Sequence, residues 1–158
     1  MATTPTLPDP YCDVAYAEAY FDARFKADMW NSASADDKLR ALHTASNMID
    51  ALPLVLSKAS TAQARAFPRS GYEDDGVPEE VQKATCEIAL ALLEGRTPRT
   101  MAAHSAVGSE SQGQASTSYP RGKLAGYDGA FGLPSIEAAQ LLAPWISDGA
   151  GAIALDRC

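Results

Sequence analysis

No stretch of this chain is apolar for long enough to cross a bilayer. The longest strongly hydrophobic run, Ile88 to Leu93, falls far short of the roughly 20 residues a spanning helix needs. Met1 to Pro10 lacks the basic-then-apolar order of a secretion signal, so neither membrane insertion nor export is expected. Cysteine is scarce as well. Cys12, Cys86 and Cys158 are an odd number at long spacings, which argues against a disulfide framework or a zinc knuckle and makes reduced thiols in a cytoplasm the expectation. Basic charge is also short, with thirteen Lys and Arg against twenty Asp and Glu for a net charge of −7. A protein that neutralises a phosphate backbone is expected to carry the opposite balance. The acidic excess is confined to residues 1–95, with eight basic and fifteen acidic side chains, whereas residues 96–158 hold five of each.

The patterns of catalysis and metal binding are missing too. His43 and His104 are far apart and share no ligand spacing. Asp36-Asp37 and Glu73-Asp74-Asp75 lack the alternating ligands and distal glutamate of a calcium loop. No nucleophile elbow, phosphate-binding loop or dinucleotide fingerprint occurs, and Gly122, Gly126, Gly129 and Gly132 do not sit between a strand and a helix of the required kind. Cys86 lies mid-helix beside Glu87, where a thiol packs as a small hydrophobe rather than a nucleophile. A protein without catalytic residues, cofactor or metal is expected. The aromatics fall at helix-face positions, and a stacking platform for single strands wants a basic groove that this composition does not supply.

What is present is enough for one ordinary domain. The 158 residues are 46% hydrophobic and 21% charged, close to globular averages. After a lead-in with three prolines between Ala2 and Pro10, Asp13 reads as an N-cap. Val14, Ala17, Tyr20/Phe21, Arg24/Phe25 and Met29 then form one stripe at helical spacing, predicting a first helix to about Trp30. Ser34 with Asp37 starts a second, whose stripe is Leu39, Leu42, Ala45/Ser46, Ile49 and Leu52, ending at Pro53. Ser60 to Phe67 is expected to form a short helix. Pro78, Glu79 and Glu80 open a further helix that stops at Gly95. Beyond it lie eight of the eleven glycines. Gln114 to Tyr119 alternates like a single strand in need of a partner, and Ser135 caps a last amphipathic helix with Trp145 on its stripe.

The expected fold is therefore mainly α. A compact body of about four helices spans residues 1–95, and a long extended C-terminal arm spans 96–158, with a short strand, a terminal helix and a flexible tail. Within the body, Arg69 of Phe67-Pro68-Arg69 reads either as a surface arginine after a turn or as a bidentate anchor to an acidic helix face or a neighbouring subunit.

The order of segments resembles a known family. Tyr11 to Phe25, Trp30, Lys38 to Asp50, Gln63 through Phe67-Pro68-Arg69, Val77-Pro78, Ala84 to Leu92, Ser118-Tyr119 and Leu141 to Trp145 are similar to the head–tail adaptor (connector, neck) proteins of tailed phages, some of which are labelled DnaT-like. The family pattern has Trp where this chain has Phe67. The resemblance implies a structural virion protein, synthesised in the bacterial cytoplasm. It would form a homo-oligomeric ring, usually of twelve copies, docked on the portal protein and linked to a downstream neck or tail-terminator protein. Genome DNA would pass through without specific binding, and acidic charge would keep it from sticking. Helix-in-groove contact or strand addition would carry docking, with Phe67, Pro68, Arg69, Ala150, Ile153 and Leu155 as the partner-binding residues. A single-stranded-DNA-binding or primosome-like replication factor is the alternative.

Overall fold

The computed structural model describes residues 7–72, 76–97, 109–112, 115–118 and 132–147. The architecture is mainly helical, as expected: α1 (Val14–Asp22), α2 (Asp28–Ser32), α3 (Ala35–Asp50), α4 (Glu79–Leu93) and α5 (Ile136–Leu142), the last continued by a 3₁₀ turn (Ala143–Trp145). Each long helix starts for a legible reason. The Asp13 carboxylate accepts from the Tyr16 N–H at 2.7 Å, and Ser34 Oγ accepts from the Asp37 N–H at 3.1 Å. Asp36 and Asp37, then Glu79 and Glu80, lie in the first turns of α3 and α4, where the helix dipole favours negative charge. At the far end of α4, Gly95 takes φ +77°. It donates to Leu92 O at 3.0 Å while Arg96 N–H reaches Ala91 O at 2.9 Å, the paired bonds of a Schellman stop.

Helix α4 is the centre of the fold. Ala84 through Ala91 are all buried, so this helix is enclosed on every side over two turns. Packed against it, α3 contributes Ala41, Leu42, Ala45 and Ile49, and α5 contributes Ala138, Ala139 and Leu142. The terminal helix thus spends its apolar face on its own chain. The connection after α3 is fastened to the end of that layer: Val55 N–H donates to Trp145 O at 2.9 Å and Ser147 N–H to Pro53 O at 2.7 Å.

Three local expectations change. The single first helix is two, because α1 ends at Asp22 and α2 begins only at Asp28. Phe25 and Met29 accordingly leave the apolar stripe for solvent, and Leu39 lies exposed on α3. Ser60 to Phe67 is a series of turns instead of a helix. The Gln63 side chain accepts from Ser60 N–H at 2.9 Å and donates to Arg65 O at 3.0 Å and Pro68 O at 2.9 Å, offering the backbone an alternative to helical bonds. The strand Ala115–Ser118 is β2 of an antiparallel hairpin with β1 (Ser109–Gln112), Glu110 opposite Thr117. Its partner is local, and no pairing from another chain is needed.

Candidate functional site

Two arginine-bearing segments organise the polar chemistry of the body. In the first, Arg65 is 8% exposed and all three of its guanidinium nitrogens donate. Nη1 reaches Asp50 Oδ2 at 2.8 Å and Asn47 Oδ1 at 2.7 Å, Nε reaches Asp9 O at 2.8 Å, and Nη2 reaches Pro8 O at 3.0 Å. The other Asp50 oxygen accepts from Tyr11 Oη and from Ala66 N–H. Burial, then the hydrogen bond and the charge of Asp50, push the Tyr11 phenol well above its ordinary value. This knot ties the proline lead-in to α3 and the loop.

Arg69 sits in the same loop. Its guanidinium donates to Val55 O at 3.0 Å, Ala66 O at 3.2 Å, Leu54 O at 3.3 Å and Leu56 O. It is neither a surface arginine nor an anchor to an acidic face; it satisfies backbone carbonyls of its own chain. Phe67 is 2% exposed and packs edge-on against Tyr11 and Trp145, with centroids 5.7 and 5.3 Å away. Pro68 follows a cis peptide bond and is half-buried. The Phe67 and Arg69 side chains are therefore consumed within the monomer, while Ala150, Ile153 and Leu155 lie outside the described residues.

The second segment joins α1 to α2. Glu87, 4% exposed on α4, accepts two parallel bonds from Arg24, Nε to Oε1 at 2.7 Å and Nη2 to Oε2 at 2.8 Å, and a third from Tyr20 Oη at 2.7 Å. Burial first, then the Glu87 hydrogen bond and charge, raise the Tyr20 phenol. The remaining Arg24 nitrogen, Nη1, holds Lys26 O at 3.0 Å. Lys26 takes φ +61°, a conformation that costs a non-glycine residue of order 1 kcal/mol. Between these fixed points Phe25 stands out at 86% exposure, with Lys26 Nζ 5.7 Å from its ring centroid. The carboxyl of Glu137, on α5, is held below its ordinary value first by its own backbone N–H, then by Ser135 and by the charges of Arg24 and Arg96.

Most cations are already matched. Arg24, Lys38, Arg40, Arg65, Lys83 and Arg96 pair with Glu87, Glu18, Asp37, Asp50, Glu79 and Glu94. Lys26 and Lys58 are the cations without an acidic or multi-carbonyl clasp among the described residues. Cys12 and Cys86 are free and buried with sulfurs 3.6 Å apart. That contact, with burial, drives the Cys86 thiol far above its ordinary value, which fits the inert core role expected of it. Among the described residues no cluster of His, Cys, Asp and Glu could hold a metal ion. No helix there is long and apolar enough to cross a membrane.

Sequence reasoning placed Phe25 on a buried stripe and so missed this loop. The readable signal was the triplet Arg24-Phe25-Lys26, an aromatic between two basic residues.

By its fold the chain is a small, mainly helical protein whose buried polar groups serve structure. It belongs to the family described as "Putative DnaT-like ssDNA binding protein", whose sequence profile matches residues 3–158. No curated protein and no solved structure matches it. The family match overturns the head–tail adaptor expectation, and with it the neck ring, the portal and tail-terminator partners, the virion role and the passage of DNA without binding. The acidic total misled because a net charge, −7 here with or without the closed ion pairs, does not say where individual cations and rings are displayed. A binding surface depends on which few cations and rings remain available.

Proposed function

We propose that this chain is a non-enzymatic single-stranded-DNA-binding protein of the bacterial cytoplasm. The observation that carries this reading is the family match, which covers residues 3–158 and so the whole helical body. Two features of the molecule support it. The buried polar groups of the two arginine knots are saturated by intrachain bonds, which leaves them structural work rather than acid–base chemistry. The reduced Cys12 and Cys86 thiols suit a reducing compartment.

Among the described residues, six of the nine Lys and Arg are paired with acids, so binding through the helical body rests on few phosphate contacts and has a shallow salt dependence. Fluorescence anisotropy of a labelled oligothymidylate, titrated with the purified full chain at two salt concentrations and with unlabelled duplex as competitor, tests this. Saturable binding that duplex displaces poorly is expected. Its loss between 50 and 200 mM salt should be far below the roughly 10³-fold of a protein with many phosphate contacts. Absence of single-strand binding, or equal binding of duplex, would overturn the reading.

A further inference from the structure

Phe25 has no folding reason to be where it is. It is the most exposed large apolar side chain described, at 86% against 61% for Leu7 and 56% for Leu56, and burial is what such a ring ordinarily contributes to stability. The protein nevertheless fixes its position. Phe21, buried one turn earlier, accepts from Arg24 N–H at 3.1 Å. Arg24 is clamped by both oxygens of Glu87 and in turn holds the Lys26 carbonyl, and Ala27, on the far side, is buried. The ring is displayed from a short turn anchored at both ends, so little ordering remains to be done when something lands on it.

The chemistry beside the ring narrows what that is. Lys26 is among the few described cations without an acidic partner, and its ammonium lies 5.7 Å from the ring centroid. An exposed aromatic ring with an unpaired ammonium over it matches a nucleotide whose base is unstacked: the base stacks on the ring, the flexible lysine moving aside, and the adjoining phosphate meets the ammonium. Duplex DNA does not offer that face, since its bases already cover one another. Asp22 and Asp28 bracket the turn and Arg24 is neutralised by Glu87, so Lys26 is the one unmatched cation there and stacking, more than attraction of phosphate, carries the contact.

We infer that Phe25 and Lys26 form a base-stacking site for single-stranded DNA, an inference that rests on the single-strand-binding reading and gives it a location. The test is oligothymidylate affinity of the full chain for wild type, Phe25→Ala, Phe25→Trp and Lys26→Gln, each checked by circular dichroism for an intact fold. Phe25→Ala should weaken binding about five- to hundred-fold, the loss of one stacked base. Phe25→Trp should retain affinity, and its added indole emission should be quenched by the oligonucleotide. Lys26→Gln should lower the slope of log affinity against log salt by about 0.7, one single-strand phosphate contact. Wild-type binding that Phe25→Ala leaves unchanged would overturn this inference while the single-strand reading stands. A wild-type chain that binds no oligonucleotide would overturn both.

Discussion

Arg24-Phe25-Lys26 and Arg65-Ala66-Phe67-Pro68-Arg69 both set a phenylalanine between two basic residues, and the fold treats them in opposite ways. In the second segment both arginines find inward acceptors, Arg65 the Asp50 carboxylate and two lead-in carbonyls, Arg69 four loop carbonyls. The phenylalanine between them is drawn into the Tyr11–Trp145 aromatic cluster. In the first, only Arg24 has an inward acceptor, Glu87. Lys26 has none, and the chain turns Phe25 outward. The difference teaches that a basic–aromatic motif becomes core or surface according to how many of its cations are matched by buried acceptors, not according to its own composition.

Removing Arg65 should do the most damage. Arg65→Met leaves Asp50 and two backbone carbonyls without their donor and should cost about 3–5 kcal/mol, the usual loss on breaking a buried pair from one side, measured by urea unfolding. Phe67→Ala should cost about 3–4 kcal/mol through the cavity it opens, with single-strand affinity unchanged in the folded fraction. A Phe67→Ala chain that folds normally but loses affinity would reverse the assignment of the two segments.

Glu87→Gln is the sharper probe, because it reaches the outward segment from inside. It should cost about 2 kcal/mol and also weaken single-strand binding several-fold, since Arg24 then loses the charge and one of the two acceptors that fix it and pins the turn less firmly. Alkali tests both knots together. The Tyr11 and Tyr20 phenols are raised in the folded state, so the stability they contribute is complete below the unfolded phenol value of about 10 and is lost as pH rises beyond it toward the folded values. Tyr11→Phe combined with Tyr20→Phe should flatten that decline in a denaturation series from pH 8 to 11. The smallest effect on stability belongs to Phe25→Ala, within about 0.5 kcal/mol of wild type, in contrast to its effect on binding.

Much of the fold was legible because its helix starts obey local chemistry: Asp13, Ser34 and Pro78 each open the helix expected of them, and Gly95 closes α4. The break between Asp22 and Asp28 was not, since the residues after Ala23 keep helical spacing. Just past that end Arg24 is held by Glu87, 63 residues away, a bond that local spacing does not reveal. The same long-range bond hid the candidate site. Gln63 likewise defeats a helix that alanine-rich propensity favours, through side-chain bonds to Arg65 and Pro68 carbonyls. Arg69 was read as a surface residue or an anchor to an acidic face or another subunit, because the Leu54, Val55 and Leu56 carbonyls it holds, thirteen to fifteen positions back, leave no spacing to read. The functional misreading came from treating the total of −7 as if it described a surface.

The most direct measurement is photocrosslinking of the wild-type chain to a single strand containing bromodeoxyuridine, with the attachment point mapped by peptide mass spectrometry. The account predicts adducts at Phe25 or its immediate neighbours in residues 23–27. Adducts confined to other segments, with that turn untouched, would contradict it.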